Sequence, residues 1–149
     1  MSNVYFLMLA AMIAGAFMPT QAATNNKMAT VVASPILATF ISFVVGTGAL
    51  FAFALISGES ISNLSSVRNA PPIAWLGGLL GAFYVAATVT LVPRLGVALT
   101  FSLIIAGQMI VTLVIDHFGL LDVPVKELSI ARVAGVLLIT AGVVLIRRF

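Results

Sequence analysis

The chain has 149 residues, of which 62% are hydrophobic and 7% carry a charge, and its formal net charge is +3. Water-soluble domains have roughly 25% charged residues, so this composition excludes a soluble globular enzyme or binding module. The sequence has no cysteine, which excludes disulfides and thiolate metal sites. The basic balance does not indicate a nucleic-acid partner, because the lysines and arginines fall at the edges of long apolar runs.

Five apolar runs follow one another along the chain. About 20 apolar residues cross a hydrocarbon core of about 30 Å, so each run is long enough to cross a membrane once. The runs are continuous rather than alternating, which favours helices over a β-barrel. The sequence therefore predicts an all-α membrane protein with a single transmembrane domain over 1–149, whose helices lie at about 4–25, 34–56, 73–92, 96–117 and 128–147.

The first run is predicted to be a permanent helix, although Gln21-Ala22-Ala23 resembles a signal-peptide cleavage site. Signal peptides carry a basic segment before the apolar one, and no lysine or arginine precedes Lys27. Pro19 lies inside this helix, where it removes a backbone hydrogen bond and is expected to bend the segment. The bend is either a harmless kink or a feature that faces a substrate.

Prolines and glycines mark the ends and faces of the later helices. Ser34-Pro35 predicts an N-cap and a first-turn proline for the second helix, and Pro71-Pro72 and Pro93-Arg94 bound the third. Helices in lipid associate by close approach at small residues. Packing positions are therefore predicted at Gly77, Gly81, Gly135 and Gly142. The partner of these faces is either another helix of the same chain or a second protomer.

Polar residues inside the runs indicate function, because polar side chains in lipid seek the bundle interior or a wet cavity. Most occur in pairs four residues apart, a spacing that places side chains on one helix face. Trp75 joins them because an aromatic ring can hold an organic cation. The substrate-cavity candidates are Gln21, Asn25, Trp75, Tyr84, Thr88, Gln108 and Thr112. Gln108 lies near the middle of its run, where its amide either contacts substrate or bonds a neighbouring helix.

Asp116 and His117 are the candidates for proton coupling. Asp116 adjoins an apolar run, and His117 follows it directly. Both side chains titrate, so either could take part in proton exchange. The alternative is a structural role, in which they bond the backbone at the helix end or Asp116 pairs with Arg132 on the same side of the membrane.

The lysines and arginines are almost evenly divided between the two sides of the membrane. One side has Arg68, Lys126 and Arg132, and the other has Lys27, Arg94, Arg147 and Arg148. Three against four give no clear bias, so the chain is predicted to insert in both orientations. Because the helix count is odd, two opposed copies would form an inverted repeat, as in alternating-access transporters. The alternative is a single orientation set by Arg147 and Arg148.

Short motifs in a fixed order extend over almost the whole chain. They are Gly15 with Pro19-Thr20-Gln21 and Asn25, Ser42-Phe43-Val44-Val45-Gly46, Trp75-Leu76-Gly77-Gly78-Leu79-Leu80-Gly81-Ala82, Gly107-Gln108, Asp116-His117-Phe118-Gly119, Arg132 with Gly135, and Gly142. Through them the chain resembles the YdcZ-like family of bacterial inner-membrane proteins in the drug/metabolite transporter superfamily. The resemblance implies a five-helix half of a ten-helix inverted-repeat transporter fold, used as a dual-topology homodimer, an opposed pair or a fusion. Met18 stands where the family pattern has leucine, a conservative departure.

Two functions are compatible with these observations. The first is a secondary transporter of a small metabolite or amphipathic cation in the bacterial inner membrane. It would act as an antiparallel homodimer or with an opposed homologous subunit, by proton coupling or passively. The second is a non-transporting membrane scaffold or assembly subunit. An enzyme is not predicted, since the sequence has no recognisable catalytic constellation, and no cofactor, metal or nucleic acid is implied.

Overall fold

The structure is a computed structural model that describes residues 2–148. Over this range it consists of five α-helices joined by loops and 3₁₀ turns, and it contains no β-strand. Each helix is long and apolar enough to cross a membrane, which confirms the predicted all-α membrane fold with five transmembrane helices. The helices are α1 Ser2–Val32, α2 Pro35–Ile56, α3 Leu76–Leu95, α4 Val97–Phe118 and α5 Ile130–Arg148.

Helix α1 continues to Val32, well beyond the predicted end near residue 25. The Asn26 side chain donates to the Ala22 carbonyl at 2.9 Å, and the Thr30 hydroxyl donates to the Lys27 carbonyl at 2.7 Å. Because these polar side chains bond back to the helix, the polar stretch does not end it. At 1.5 Å per residue the helix is about 46 Å long, so it extends beyond the hydrocarbon core.

Helix α2 begins where its sequence predicts. Ser34 is the N-cap, with φ −155° and ψ 120°, and its hydroxyl accepts a hydrogen bond from the Leu37 amide at 3.2 Å. Pro35 occupies the first turn, where its missing N–H costs nothing. At the other end Gly58 has a φ of 74°, which lets the chain turn sharply out of the helix.

The connection between α2 and α3 contains a 3₁₀ helix, Ile61–Asn69, called the loop helix below. A 3₁₀ helix has three residues per turn, so Ile61, Leu64 and Val67 lie on one side of it. A further 3₁₀ turn, Pro72–Trp75, leads into α3.

Helix α3 differs from its predicted bounds at both ends. Its α-helical part begins at Leu76, because the residues after Pro72 form the 3₁₀ turn first. It ends at Leu95, so Pro93 lies in its last turn rather than after it. Pro93 has no backbone N–H, so the Val89 carbonyl lacks its usual helical donor in the last turn of α3.

The chain divides into two compact units, which are described separately. The first ends at Arg94, and in it α1 packs along α2. Its buried residues are Ala22, Asn25, Ala38, Thr39, Val85, Thr88, Val89 and Val92. The second begins at Leu95 and packs α4 along α5, with Thr100, Ala106 and Val143 buried. Small side chains thus form the buried positions, while most large apolar side chains are exposed, as expected for surfaces that face lipid.

Candidate functional site

A narrow groove lies between α1 and α2 in the first unit. It has a volume of about 180 Å³ and is lined by Gln21, Ser42, Phe43, Gly46, Thr47 and Leu50. Gln21 and Thr47 are exposed, although they belong to membrane-spanning helices. A polar side chain in such a helix requires a polar partner or a wet cavity. The groove is therefore a candidate path for a polar molecule.

A wider groove continues from the first at the end of α2. It has a volume of about 490 Å³ and lies between α2 and the loop helix. Thr47 and Leu50 line both grooves, so the two form one continuous surface, called the polar groove below. The wider part is lined by Thr47, Leu50, Phe51, Ala54, Glu59, Ser60, Ile61, Asn63 and Leu64.

Helical spacing and a glycine shape the wall of the polar groove. Ser42, Gly46 and Leu50 are four residues apart, which places them on one face of α2. A Cβ atom built on Gly46 would meet no atom within 4 Å, so the missing side chain keeps the groove open. At the end of the helix the Glu59 amide donates to the Ala54 carbonyl at 3.0 Å, which fixes Glu59 at the mouth of the groove.

Asn25 is the buried polar candidate of the first unit. It is 7% exposed, and its Nδ2 atom has no hydrogen-bond partner among the described residues. A buried donor without a partner costs about 1–3 kcal/mol, which makes Asn25 a candidate to bind a ligand or a partner chain. The buried Thr88 hydroxyl, in contrast, already donates to the Val85 carbonyl at 2.8 Å.

The second unit contains an ion pair where α4 ends and α5 begins. The Asp116 carboxylate is paired with the Arg132 guanidinium. The same guanidinium donates to the Lys126 carbonyl at 2.8 Å, and the Lys126 amide donates to the Asp116 carbonyl at 2.8 Å. The Asp116 side chain is 16% exposed, so the pair is partly shielded from water. The pairing of Asp116 with Arg132 is the structural alternative to proton coupling that the sequence indicates, and the structure contains this pair.

His117 belongs to the same junction. Its Nδ1 atom accepts a hydrogen bond from the Leu128 backbone N–H at 3.3 Å. An accepting ring nitrogen carries no proton, so a proton added at Nδ1 would break this contact. Asp116 and His117 thus both hold contacts that depend on their protonation. Their role as proton-coupling groups stays a prediction.

The other predicted cavity residues do not line the polar groove. Trp75 is exposed in the 3₁₀ turn before α3, and Tyr84 is half-buried within that helix. Gln108 and Thr112 are exposed on α4. A substrate cavity that brings these residues together stays a prediction.

Among the predicted packing glycines, Gly81 is closely approached by another helix of the chain. A Cβ atom at Gly81 would lie 3.8 Å from the Cζ atom of Phe43 in α2. The same construction at Gly77, Gly135 and Gly142 meets no atom within 4 Å. Their packing role, against another helix of the same chain or against a second protomer, stays a prediction.

Of the residues that line the polar groove, the predicted cavity set contains Gln21. The polar groove residues outside that set are Ser42, Thr47, Glu59, Ser60 and Asn63. Ser42 and Gly46 share a motif and a helix face, which is a sequence signal for the narrow part of the groove. Glu59 gives no such signal, because its place depends on how the loop folds back beside α2. Within residues 2–148, no group of three or more His, Cys, Asp or Glu side chains could hold a metal ion.

Comparison with known proteins identifies one family. The model of the family described as "Putative inner membrane exporter, YdcZ" matches residues 6–145. No curated protein and no solved structure matches the chain. The matched range reaches into all five helices and confirms the resemblance seen in the short motifs.

Proposed function

The chain belongs to the YdcZ family of inner-membrane exporters, and we propose that it is a secondary transporter of a small metabolite or amphipathic cation. Family membership supports a transporter role over the scaffold alternative and over an enzyme. The protein is a multi-pass protein of the inner membrane, with five helices that can span it.

The polar groove supports a substrate path. Ligand sites are mostly apolar with a few well-placed polar groups, and their volumes are about 300–1,000 Å³. The wider part of the groove, at about 490 Å³, has this size and combines apolar walls with Glu59 and Asn63. The observation that carries the proposal is the exposure of Gln21 and Thr47 on membrane-spanning helices, because lipid cannot satisfy these groups.

We propose that two copies pair in opposite orientations. The division of basic residues, three against four, gives the chain little reason to prefer one orientation. With five helices in each copy, an opposed pair is a ten-helix inverted repeat. Inverted repeats hold substrate near the bilayer midplane and open alternately to the two sides.

The remaining cavity candidates are proposed to face the space between the two copies. Asn25 offers an amide that is unpaired in the described chain. Gln108 and Thr112 are exposed on α4, where hydrocarbon would leave them without partners. Trp75, Tyr84 and Thr88 complete the proposed set.

We propose proton exchange as the coupling mechanism, with Asp116 and His117 as its groups. Protonation of Asp116 would neutralise the partner of Arg132 and leave a partly buried guanidinium unpaired. Removing one partner of a shielded ion pair is costly, so protonation would favour a different arrangement of the junction. A group whose protonation shifts the balance between two arrangements can couple protons to transport.

Flux through proteoliposomes tests the proposed function. The purified full chain should move ethidium, or one of a panel of isotopically labelled amino acids, sugars and nucleosides, faster than protein-free vesicles do. It should also show counterflow, because alternating access exchanges substrate between the two sides. If folded, reconstituted protein gives neither flux nor counterflow for any compound, transport is contradicted and the scaffold alternative is favoured.

A further inference from the structure

We propose that the wider part of the polar groove binds a monovalent amphipathic organic cation, with the positive charge at Glu59. The inference rests on the proposed function, because it names the substrate class for the same groove. No motif and no predicted helix face in the sequence singles out Glu59. The structure makes it part of a site.

The walls of the wider groove suit an apolar body. Leu50 and Phe51 of α2 face the groove together with Ile61 and Leu64 of the loop helix. Phe51 is 53% exposed, so its ring is available for contact with a ligand. A sugar or an amino acid would place its polar groups against these walls with few hydrogen-bond partners, which is unfavourable.

Glu59 supplies the charge of the site. It is the one ionisable side chain in the groove lining. The salt bridge within residues 2–148 joins Asp116 to Arg132, so Glu59 has no salt-bridge partner in that part of the chain. The C-terminal end of α2 adds to the negative potential, because a helix dipole is negative at this end. A cation is attracted by both, whereas an anion is repelled.

The groove also restricts the size and charge of the ligand. A volume of about 490 Å³ accommodates a drug-sized molecule rather than a small inorganic ion. One carboxylate matches one positive charge, and the Phe51 ring can add a cation–π contact. The ligand that fits is therefore a monovalent cation carried on an apolar or aromatic body.

The inner part of the groove differs from its mouth. Beyond Thr47 and Leu50 lies the narrow part of the groove, which has a volume of about 180 Å³. Its polar groups, such as Gln21 and Ser42, carry no charge. A cation moving inward exchanges an ionic contact for neutral ones. Transport requires binding that is weak enough to release, so Glu59 is assigned to recruitment at the membrane surface.

Binding of tetraphenylphosphonium to the purified full chain tests the proposal. In phosphatidylglycerol nanodiscs, Glu59→Gln should weaken binding by up to about fivefold, the upper end for an exposed ion pair, and Glu59→Asp should retain most of the affinity. Glu127→Gln is the matched control, because Glu127 is an exposed acid on the same side of the membrane that does not line the groove. Tetraphenylborate, similar in shape but negatively charged, should not bind Glu59→Gln more weakly than the unchanged protein.

The possible outcomes distinguish failure of the proposed cation site from failure of the proposed transport. Equal affinity of folded Glu59→Gln and Glu127→Gln would overturn the cation site even if the unchanged protein transports a labelled compound. Glu59-dependent binding without flux of any compound would support the site and contradict transport. If phosphatidylethanolamine in the nanodiscs abolishes binding, the groove holds an ammonium lipid headgroup, and the proposal of a transported cation is overturned.

Discussion

Gly119 ends α4 in a backbone conformation that favours glycine. Its φ is 60° and ψ is 32°, and its amide donates to the Ile115 carbonyl. A Cβ atom here would lie 2.7 Å from Cγ2 of Val125 and 3.3 Å from the carbonyl oxygen of Val123. We predict that Gly119→Ala lowers the free energy of unfolding by at least about 1–2 kcal/mol, the cost of a left-handed L residue, with the clash in addition. Denaturant unfolding in detergent, followed by circular dichroism, measures this change.

Gly107→Ala is the matched control for that experiment. Gly107 lies in the same helix, and a Cβ atom built on it meets no atom within 4 Å. Because alanine is the better helix former, this variant should be as stable as the unchanged protein or slightly more stable. Equal destabilisation of the two variants would mean that the turn at Gly119 does not require its left-handed conformation.

Asp116 forms the ion pair with Arg132 and is also one of the two proposed proton-coupling groups. Asp116→Asn keeps the shape of the side chain but removes the negative partner of Arg132. We predict that this variant still transports, but that a pH gradient no longer drives its flux, because the group that would carry the proton is gone. Flux measured in proteoliposomes with and without a pH gradient provides the comparison.

Asp122→Asn is the control for Asp116, because Asp122 is an exposed acid in the connection after α4 and forms no ion pair within residues 2–148. It should keep the dependence of flux on the gradient. If Asp116→Asn keeps it as well, Asp116 is removed as a coupling group and the ion pair is structural.

The sequence predicts the residues of this junction better than those of the groove. Asp116 and Arg132 are separated by a short connection between adjacent helices, so their pairing can be proposed from position alone. Glu59 and Phe51 come together through the turn at Gly58 and the loop helix. Hydropathy carries no information on that geometry, because it reports the preference of each segment for lipid and not how a polar loop folds against a helix end.

At the scale of elements, α2 provides a sharp test of the polar groove. Gly46 lines the groove, whereas Gly48 does not, and a Cβ atom on either meets no atom within 4 Å. Gly46→Leu would fill the narrow part, and a steric cost of about 1–3 kcal/mol to a substrate corresponds to a roughly 5- to 150-fold loss of flux. Gly48→Leu makes the same change two positions along the helix and should leave flux nearly unchanged. If both variants behave alike, the groove is not the path.

The existence of the helices follows from the sequence, but some of their ends do not. In lipid every backbone polar group must be bonded within its own segment, so a long apolar run has one available structure. Near a helix end this requirement is weaker, because water and side chains can form hydrogen bonds with the backbone groups. The side chains of Asn26 and Thr30 therefore carry α1 past its apolar run, and the residues after Pro72 form a 3₁₀ turn before α3.

For the whole molecule, the balance of basic residues predicts that each terminus is found on both sides of the membrane. Ser65→Lys and Ser66→Lys, combined with Arg147→Gln and Arg148→Gln, change three against four into five against two, and both serines are exposed in the loop helix. Val31→Lys with Leu95→Lys gives the opposite bias, three against six. Since the side richer in lysine and arginine stays in the cytoplasm, each variant should adopt one orientation, opposite to the other. Reporter fusions at both ends measure this directly.

The two variants with a fixed orientation also test whether the working unit is an opposed pair. If the working unit is an opposed pair, each biased variant alone should lose most of its flux, because no inverted copy is available to complete the cavity. Co-expression of the two variants should restore flux, since each supplies the orientation that the other lacks. Full flux from one biased variant alone, in cells without a homologous partner, would mean that parallel copies or single chains transport, and the inverted pair would have to be abandoned.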